Sequence, residues 1–403
     1  MEQFLSVQSE PKKILIVALC GIGDTLSFVP HLQQLRARYP NVKIDFLVHN
    51  PRMIPWLRRS KLCDKAWVVD DRRYVFNKDS RWKRICSFLS RTFQIRREQY
   101  DLAFWPYAQT TWKKIILARL LGVRCTYMHT ASHWVEGWLA KRIVFVPFSF
   151  TDAVLERNTG LLMAHDTQWP SIQIQFSADL ADAERGRLAL ARFGFAQGRH
   201  VVGFHPGGNV NWTPYRQWPA ERYSELADRL CETLDADAVL IGQPEEIKLL
   251  EHIRSKMKRP VTFITDTTFE ELVDVMAALH ALVGNESAMV HLAGFSGIPS
   301  FSLVGATNYR QTGPWGQRSY VVRLDLPCSP CFETGYTSRC PHRKCMADLT
   351  VDRVAHTILP IILDLAPKNH FKPAVISIPV EVPNDAQWQQ FMYDRDQWSA
   401  LRI

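Results

Sequence analysis

The sequence predicts an α/β protein with two doubly wound parallel-sheet domains. Two observations lead to this prediction: β-prone apolar runs alternate with helical segments, and the same pattern restarts near residue 200. Strands that alternate with helices form parallel sheets covered on both faces. The chain has 403 residues, which is enough for two domains of nearly 200 residues with separate cores. We expect the domains to face a cleft that binds ligands at the carboxyl ends of the strands.

The first domain is predicted from a β-α-β-α-β pattern in the opening part of the chain. An apolar run follows Lys13, meets Gly21 and Gly23, and continues with apolar residues at helical spacing. Further strands are expected at 100–106 and 142–148, with a helix between them. We assign residues 1–175 to this domain. The next segment, 176–199, is polar and helix-prone without an apolar strand, and we interpret it as a linker.

The second domain is predicted at 200–366, where strands, glycine turns and helices alternate again. The tail, 367–403, contains several prolines and ends in an aromatic amphipathic helix. We expect this tail to pack back on the first domain, and the alternative is a loosely held terminus.

Composition is that of a folded globular protein, with 46% hydrophobic and 22% charged residues. These values exclude a disordered, collagenous or disulfide-scaffold chain. The net charge is +9, and residues 51–100 alone contain 14 basic and 5 acidic residues. Such a basic segment predicts an anionic partner, a phosphorylated glycan or acidic lipid headgroups, unless it is simply a solvated face. Aromatic residues in this stretch, including Trp56 and Trp67, look buried, and we expect no nucleic-acid partner.

Location is predicted from what the chain lacks. No apolar run reaches the roughly 18 residues of a membrane span, and no cleavage site follows the first apolar run. Five of the nine cysteines are scattered through apolar or helical context, as in reduced proteins. We therefore expect a cytoplasmic protein, with peripheral contact with the inner membrane.

The first glycine turn lacks the third glycine of a dinucleotide-binding turn, since position 26 is leucine, and it contains a carboxylate directly after Gly23. Gly21 and Gly23 allow a ligand to approach the helix N-terminus, and Asp24 and Thr25 follow at once. Asp24 is a candidate general base; the alternative is an acidic residue that caps its own helix.

The second domain has three motifs that fit a nucleoside diphosphate. The first combines Gly207, Gly208 and Asn209 with Arg216, since glycine amides and one cation suit a pyrophosphate. In the second, Glu245 or Glu246 could accept hydrogen bonds from ribose hydroxyls, or the pair could be a solvated helix start. The third motif places polar or small residues at a strand end and a histidine on the next helix. Its candidate residues are Glu286, Ser287, Ala288 and His291. The alternative is that the histidine is a packed or capping residue.

Four cysteines cluster late in the chain as C-x2-C-x8-C-x4-C, at positions Cys328, Cys331, Cys340 and Cys345. In a reduced protein this spacing favours a closed structural site for zinc or, second, iron. The alternative is four unligated thiols.

The ordered motifs GIGD, HPGG, WP, IGQPEE, NESAMVHLAG and VGAT resemble glycosyltransferase family 9, the lipopolysaccharide heptosyltransferase family, over residues 13 to 355. The resemblance implies two Rossmann-like domains of the GT-B type, with the acceptor site in the first and the nucleotide-sugar site in the second. It also implies inverting, metal-independent transfer without a catalytic cofactor, with Asp24 as base and Arg216 at the donor phosphates. Comparable cysteines recur in the family, and the cluster resembles the metal-binding arrangement of some protein heptosyltransferases.

The resemblance predicts a transferase that moves heptose from ADP-heptose to a lipopolysaccharide-core or related anionic, lipid-linked glycan. Two positions depart from the family pattern, which usually has aspartate where this chain has Glu286 and glycine where it has Ala288. A UDP-hexosamine donor, a protein acceptor and a non-catalytic nucleotide-sugar-binding protein are the alternatives.

Overall fold

The protein is described by a computed structural model. It describes residues 10–69, 81–106, 110–130, 141–149, 152–170, 180–208, 216–331, 340, 342–364 and 374–380. The chain divides into two compact units, residues 1–175 and 176–403. Each unit is an α/β body around its own parallel sheet, which confirms the predicted fold class. No helix among these residues is both long enough and apolar enough to cross a bilayer.

The first unit has a six-stranded sheet in the order β3-β2-β1-β4-β5-β6, and every neighbouring pair is parallel. Its strands are β1 (Lys13–Ala18), β2 (Lys43–Val48), β3 (Lys65–Val68), β4 (Leu102–Trp105), β5 (Cys125–Thr130) and β6 (Ile143–Pro147). Its helices are α1 (Ile22–Leu26), α2 (Val29–Arg38), α3 (Ile54–Arg59), α4 (Arg81–Arg97), α5 (Trp112–Leu121) and α6 (Val154–Met163).

The strands of this unit are buried runs, as expected for a sheet covered on both faces. β1 is buried from its second residue onward, and β4 is buried throughout. Trp56 and Trp67 are buried, as predicted.

The second unit has a seven-stranded parallel sheet in the order β13-β12-β11-β10-β7-β8-β9. Its strands are β7 (His200–His205), β8 (Ala236–Ile241), β9 (Val261–Ile264), β10 (Ala281–Asn285), β11 (Ser300–Leu303), β12 (Ser319–Leu324) and β13 (Ala374–Ile378). Its helices are α7 (Ala183–Arg192), α8 (Ala220–Leu234), α9 (Ile247–Arg254), α10 (Phe269–Ala278), α11 (Ala288–Phe295), α12 (Tyr309–Thr312), α13 (Lys344–Ala347) and α14 (Val351–Leu363).

Two segments differ from the sequence expectation. Residues 183–192, inside the expected linker, form α7, which packs against α10 in the second unit. The contact is close because Gly186 has no side chain: a Cβ there would lie 1.9 Å from the carbonyl oxygen of Asp274. Residues 374–378, in the tail expected to return to the first domain, instead form β13 beside β12, because their backbone continues the parallel ladder. The terminal aromatic helix predicted after residue 385 lies outside the described residues.

Candidate active site

Asp24 lies on the short helix that follows the first strand. Its Oδ2 accepts a hydrogen bond from the Gly21 amide at 3.2 Å, so the carboxylate caps its own helix. Oδ1 accepts no hydrogen bond from the described residues. One carboxylate oxygen thus fixes the side chain, and the other is available to accept a proton.

Burial raises the pKa of the Asp24 carboxyl to about 6, while the Gly21 hydrogen bond and the positive charge of Lys114 act in the opposite direction. The group is therefore ionised at neutral pH but basic enough to take up a proton, which is the condition for a general base. Lys114 was missed by sequence reasoning because it lies on α5, far along the chain, and only the fold brings its charge near.

The two neighbours of Asp24 that the sequence singled out have structural roles at this turn. Gly21 has a φ of −68°, so it is not needed for a left-handed conformation; a Cβ there would lie 3.2 Å from Asp24 Oδ2. Thr25 is buried, and its hydroxyl donates to the Gly21 carbonyl at 3.0 Å. Gly23 lies within α1. Both contacts shape the turn that presents the carboxylate.

Two consecutive hydrogen bonds link this helix to α6. Ser27 donates to the Asp24 carbonyl at 2.6 Å, and the Asn158 amide donates to the Ser27 hydroxyl at 3.1 Å. Asn158 is fully buried on α6. A buried amide with a partner resists displacement, so α6 fixes the position of α1. Nothing in the sequence pairs these distant segments.

The second unit brings most of its predicted residues to one edge of the sheet. β11, β10, β7 and β8 are consecutive neighbours, and the motifs follow the carboxyl ends of these four strands. Parallel strands put these ends at the same edge, so motifs some 100 residues apart become adjacent.

Glu246 lies against the glycine turn after β7. Its Oε1 accepts from the Gly208 amide at 2.9 Å and its Oε2 accepts from the Gln243 amide at 2.8 Å. A Cβ on Gly207 would lie 2.1 Å from Glu246 Oε1, so any larger residue there would displace the carboxylate from this position. Glu245, in contrast, is exposed. The Gly208 N–H, which the sequence suggested for the diphosphate, therefore already donates a hydrogen bond to Glu246.

Arg216 pairs with Glu286 through Nη2 and Oε2. Its Nε also donates to the Thr307 hydroxyl at 2.9 Å. Burial lowers the pKa of the Arg216 guanidinium without neutralising it. The longer side chain of glutamate is thus used in an ion pair. Thr307 was missed as a site residue although it belongs to the VGAT motif.

Asn285 joins the segments of this edge and was also missed. Its Nδ2 donates to the Pro206 carbonyl at 2.7 Å, and its Oδ1 accepts from the Trp218 amide and the Tyr223 hydroxyl, both at 2.9 Å. An asparagine at the end of an apolar buried strand is the signal that could have identified it.

The remaining predicted donor residues surround the start of α11. Ser287 is the N-cap, and its buried hydroxyl makes no hydrogen bond to a described residue. Ala288 is the first helical residue. Burial lowers the pKa of His291 to about 4, so its imidazole is neutral at physiological pH. Asn209 lies outside the described residues.

Two of the four clustered cysteines, Cys331 and Cys345, lie against the turn that carries Thr307. The Ser329 hydroxyl donates to the Gly305 carbonyl at 2.6 Å, and the Cys331 amide donates to the Ala306 carbonyl at 2.9 Å. A Cβ on Gly305 would lie 2.8 Å from Cys345 Sγ. Burial, and then repulsion by the three other cysteines, raises the pKa of the Cys345 thiol to about 12. In the described part of the chain, no three His, Cys, Asp or Glu side chains are arranged to hold a metal ion.

Comparison with known proteins identifies similar sequences. The family model for glycosyltransferase family 9 (heptosyltransferase) matches residues 89–342. The chain is 23% identical over 359 residues to lipooligosaccharide heptosyltransferase 2 of Campylobacter jejuni, and the match covers 86% of this chain and 98% of that protein.

Solved structures share the fold. A family 9 glycosyl transferase from Veillonella parvula has a TM-score of 0.70 at 19% identity, covering 88% of this chain and 98% of that one. An E. coli heptosyltransferase with ADP has a TM-score of 0.65 at 17% identity, covering 87% and 99%.

The raised pKa of Asp24 predicts that its charge opposes folding. Above about pH 6 the folded state holds a partly desolvated carboxylate, a cost that is lost as the pH falls and the folded state takes up a proton before the unfolded state does. We expect Asp24→Asn to raise the free energy of unfolding at about pH 8 by on the order of 1 kcal/mol, with the gain shrinking toward about pH 5. Urea unfolding at both pH values measures this.

The matched control is Asp152→Asn, because Asp152 Oδ2 also accepts a backbone N–H three residues upstream, from Ser149 at 3.0 Å. Its asparagine keeps that bond, and we expect little change. A destabilised Asp24→Asn protein at the higher pH would contradict the prediction and indicate that the carboxylate serves mainly as a cap.

Proposed function

Because the chain belongs to glycosyltransferase family 9, we propose that it transfers heptose from ADP-heptose to a lipopolysaccharide-core or related glycan, with Asp24 as the general base. It is a glycosyltransferase. The heptosyl donor is supported by the name of the C. jejuni relative, which matches over nearly its full length, and the adenosine diphosphate by the E. coli neighbour with ADP.

The observation that carries the proposal is the state of Asp24. A carboxylate held by one oxygen on the helix that follows a parallel strand, with its pKa raised to about 6, can accept the proton that an acceptor hydroxyl must lose. The hydrogen bond of the helix cap by itself lowers the pKa, so the raised value comes from burial and not from capping.

The proposed reaction is a single displacement. The acceptor hydroxyl oxygen attacks the anomeric carbon while its proton moves to Asp24. The bond from that carbon to the diphosphate oxygen breaks, and its electron pair leaves with the diphosphate. Attack opposite to the leaving group inverts the anomeric carbon.

Stabilisation of the leaving diphosphate is assigned to the second unit. The Arg216 guanidinium is oriented by Thr307 and Glu286, and its fork of N–H donors suits phosphate oxygens. The N-terminus of α11, which follows Ser287, adds the positive end of a helix dipole. We assign Glu286 to the sugar hydroxyls and Glu246 to the ribose.

Two alternatives remain within the transferase class. Glutamate at 286 and alanine at 288 change the space and reach at the sugar, which favours testing a UDP-hexosamine donor. A protein acceptor is the second alternative, because the cysteine cluster is similar to that of some protein heptosyltransferases. A nucleotide-sugar-binding protein without catalysis is the alternative outside the class, and the state of Asp24 counts against it.

The nucleotide is tested by thermal unfolding with ADP, UDP and GDP. A ligand at about 100 times its dissociation constant adds roughly 2.7 kcal/mol to folding stability. We expect ADP alone to raise the midpoint, and Arg216→Ala to reduce that rise. The control is Arg229→Ala, which removes a pair with Asp352 at the surface of the same unit. Selective stabilisation by UDP would replace the donor; no response to any of the three would contradict a nucleotide site.

The base is tested by the pH dependence of transfer. With Asp24 as base, kcat/KM falls about tenfold per unit as the pH drops below about 6, because the carboxyl protonates. Asp24→Asn should lose on the order of 10²–10⁴-fold in kcat with nucleotide binding retained. Asp152→Asn serves again as control. An Asp24→Asn enzyme with normal kcat refutes the assignment.

The cysteine cluster is proposed to hold a structural zinc or iron ion through Cys328, Cys331, Cys340 and Cys345. The argument is the C-x2-C-x8-C-x4-C spacing, which favours metal ligation in a reduced protein. The described thiols are not arranged as ligands, so binding has to draw them together, and the cation would offset the repulsion between thiolates. The segment would then support the Gly305–Thr307 turn, and through Thr307 the orientation of Arg216. The metal has no part in the transfer step, since a closed four-cysteine site leaves no position for substrate.

Elemental analysis of protein purified without added metal tests this. We expect close to one equivalent of zinc or iron, lost in Cys345→Ser and retained in Cys231→Ser, where a buried thiol lies outside the cluster. Less than about 0.2 equivalent in the unsubstituted protein would refute the metal.

A further inference from the structure

Helices α4 and α5 lie on the same face of the first sheet and leave an apolar outer surface. Ile95 of α4 and Leu117 of α5 pack inward on shared strand residues. The outward side chains are spaced four residues apart, which places them on one side of each helix. They are Leu89 and Phe93 on α4, 54% and 55% exposed, and Trp112, Ile116 and Leu120 on α5, 67%, 39% and 42% exposed.

The same surface is strongly basic. The described part of α4, from Cys86 onward, contains three arginines, and α5 contains Lys113 and Arg119 besides the Lys114 that acts on Asp24; neither segment contains an acidic residue. The Arg97 guanidinium lies 4.5 Å from the centre of the Phe93 ring, so charge and apolar surface are interleaved. This combination is typical of elements that lie in the interface of an anionic bilayer.

A basic cavity lies where the α5 stripe ends. It measures about 250 Å³, and four cations line it: Arg96, Arg119, Lys141 and Arg142. Among the described residues that line it, none is acidic. Four positive side chains around such a volume suit a phosphate group.

The backbone fixes two of these cations in place. Arg96 Nη1 donates to the Leu120 carbonyl at 3.3 Å, and Arg119 Nη1 donates to the Lys141 carbonyl at 2.7 Å. Arg96 also lies across Gly122, whose φ of +68° ends α5; a Cβ there would be 2.9 Å from Arg96 Cγ. The cavity is therefore a formed feature of the helix end.

The cavity is distinct from the site described above. It opens at the amino ends of β5 and β6, next to Thr126 and Ile143, whereas Asp24 follows the carboxyl end of β1. Because all six strands are parallel, these are opposite edges of the sheet.

We infer that the α4–α5 surface binds an anionic phospholipid bilayer, with a lipid phosphate in the cavity lined by Arg96, Arg119, Lys141 and Arg142. The apolar side chains enter the boundary between headgroups and acyl chains, and the basic residues meet the negative surface. Charge complementarity selects this partner, since a second copy of the chain would bring the same positive surface against itself.

The test is sedimentation of the full chain with vesicles, without nucleotide sugar, so that it is independent of the transferase proposal. We expect binding to vesicles of phosphatidylcholine with about 30% phosphatidylglycerol, and not to phosphatidylcholine alone. Lys141→Gln with Arg142→Asn should weaken binding about thirtyfold, as expected for two cations near a charged lipid surface. Phe93→Ser with Ile116→Ser should weaken it to a similar extent.

Matched controls lie in the second unit. Lys256→Gln with Lys258→Gln removes two exposed cations, and Leu188→Ser with Leu363→Ser removes two exposed apolar side chains. Both should bind as the unsubstituted protein does, and circular dichroism should show that every variant is folded.

Three outcomes would overturn the inference. They are equal binding to neutral and anionic vesicles, unchanged binding by both α4–α5 variants, and a dimer in light scattering that Phe93→Ser with Ile116→Ser dissociates. A fourth arm uses inorganic phosphate: stabilisation by phosphate that Lys141→Gln with Arg142→Asn removes, without vesicle binding, would assign the cavity to a soluble phosphate compound.

Discussion

Parallel strand pairing is the constraint on which the rest of this structure depends. Every neighbouring pair in both sheets is parallel, so each strand ends at the same edge as its neighbours. Polar residues that follow the strands therefore lie close together at that edge, even when they are far apart in the sequence. The Glu246 carboxylate meets the glycine turn after β7 in this way, and Arg216 meets Glu286 and Thr307.

Electrostatics at these edges depends on how far each charge is buried. Asp24 keeps its charge at neutral pH although burial disfavours that charge, and the resulting higher pKa makes the carboxylate a stronger base. His291 loses its charge under similar burial because nothing nearby favours the imidazolium. Arg216 keeps its charge and is oriented by a carboxylate. The first unit thus contains one basic carboxylate, and the second unit contains one oriented cation.

The two edges of the first sheet have different chemistry. The carboxyl edge has the capped helix with Asp24, supported from below by Ser27 and Asn158. The amino edge, next to the α4–α5 surface, has the basic cavity. At both edges the helices pack on the sheet through apolar residues, and their outward-facing residues determine the charge and polarity of the surface.

The sequence by itself determined the fold class and the positions of the chemical motifs, because strand and helix periodicity and glycine turns are local properties. GIGD, IGQPEE and NESAMVH are all contiguous, and Asp24, Glu246 and Glu286 could be named from them. Only the tertiary structure decided what these residues contact. The Asn158 support, the charge of Lys114 and the four-cation cavity join residues from distant segments, and so does the pairing of β13 with β12. Such contacts depend on packing in three dimensions, which no local pattern encodes.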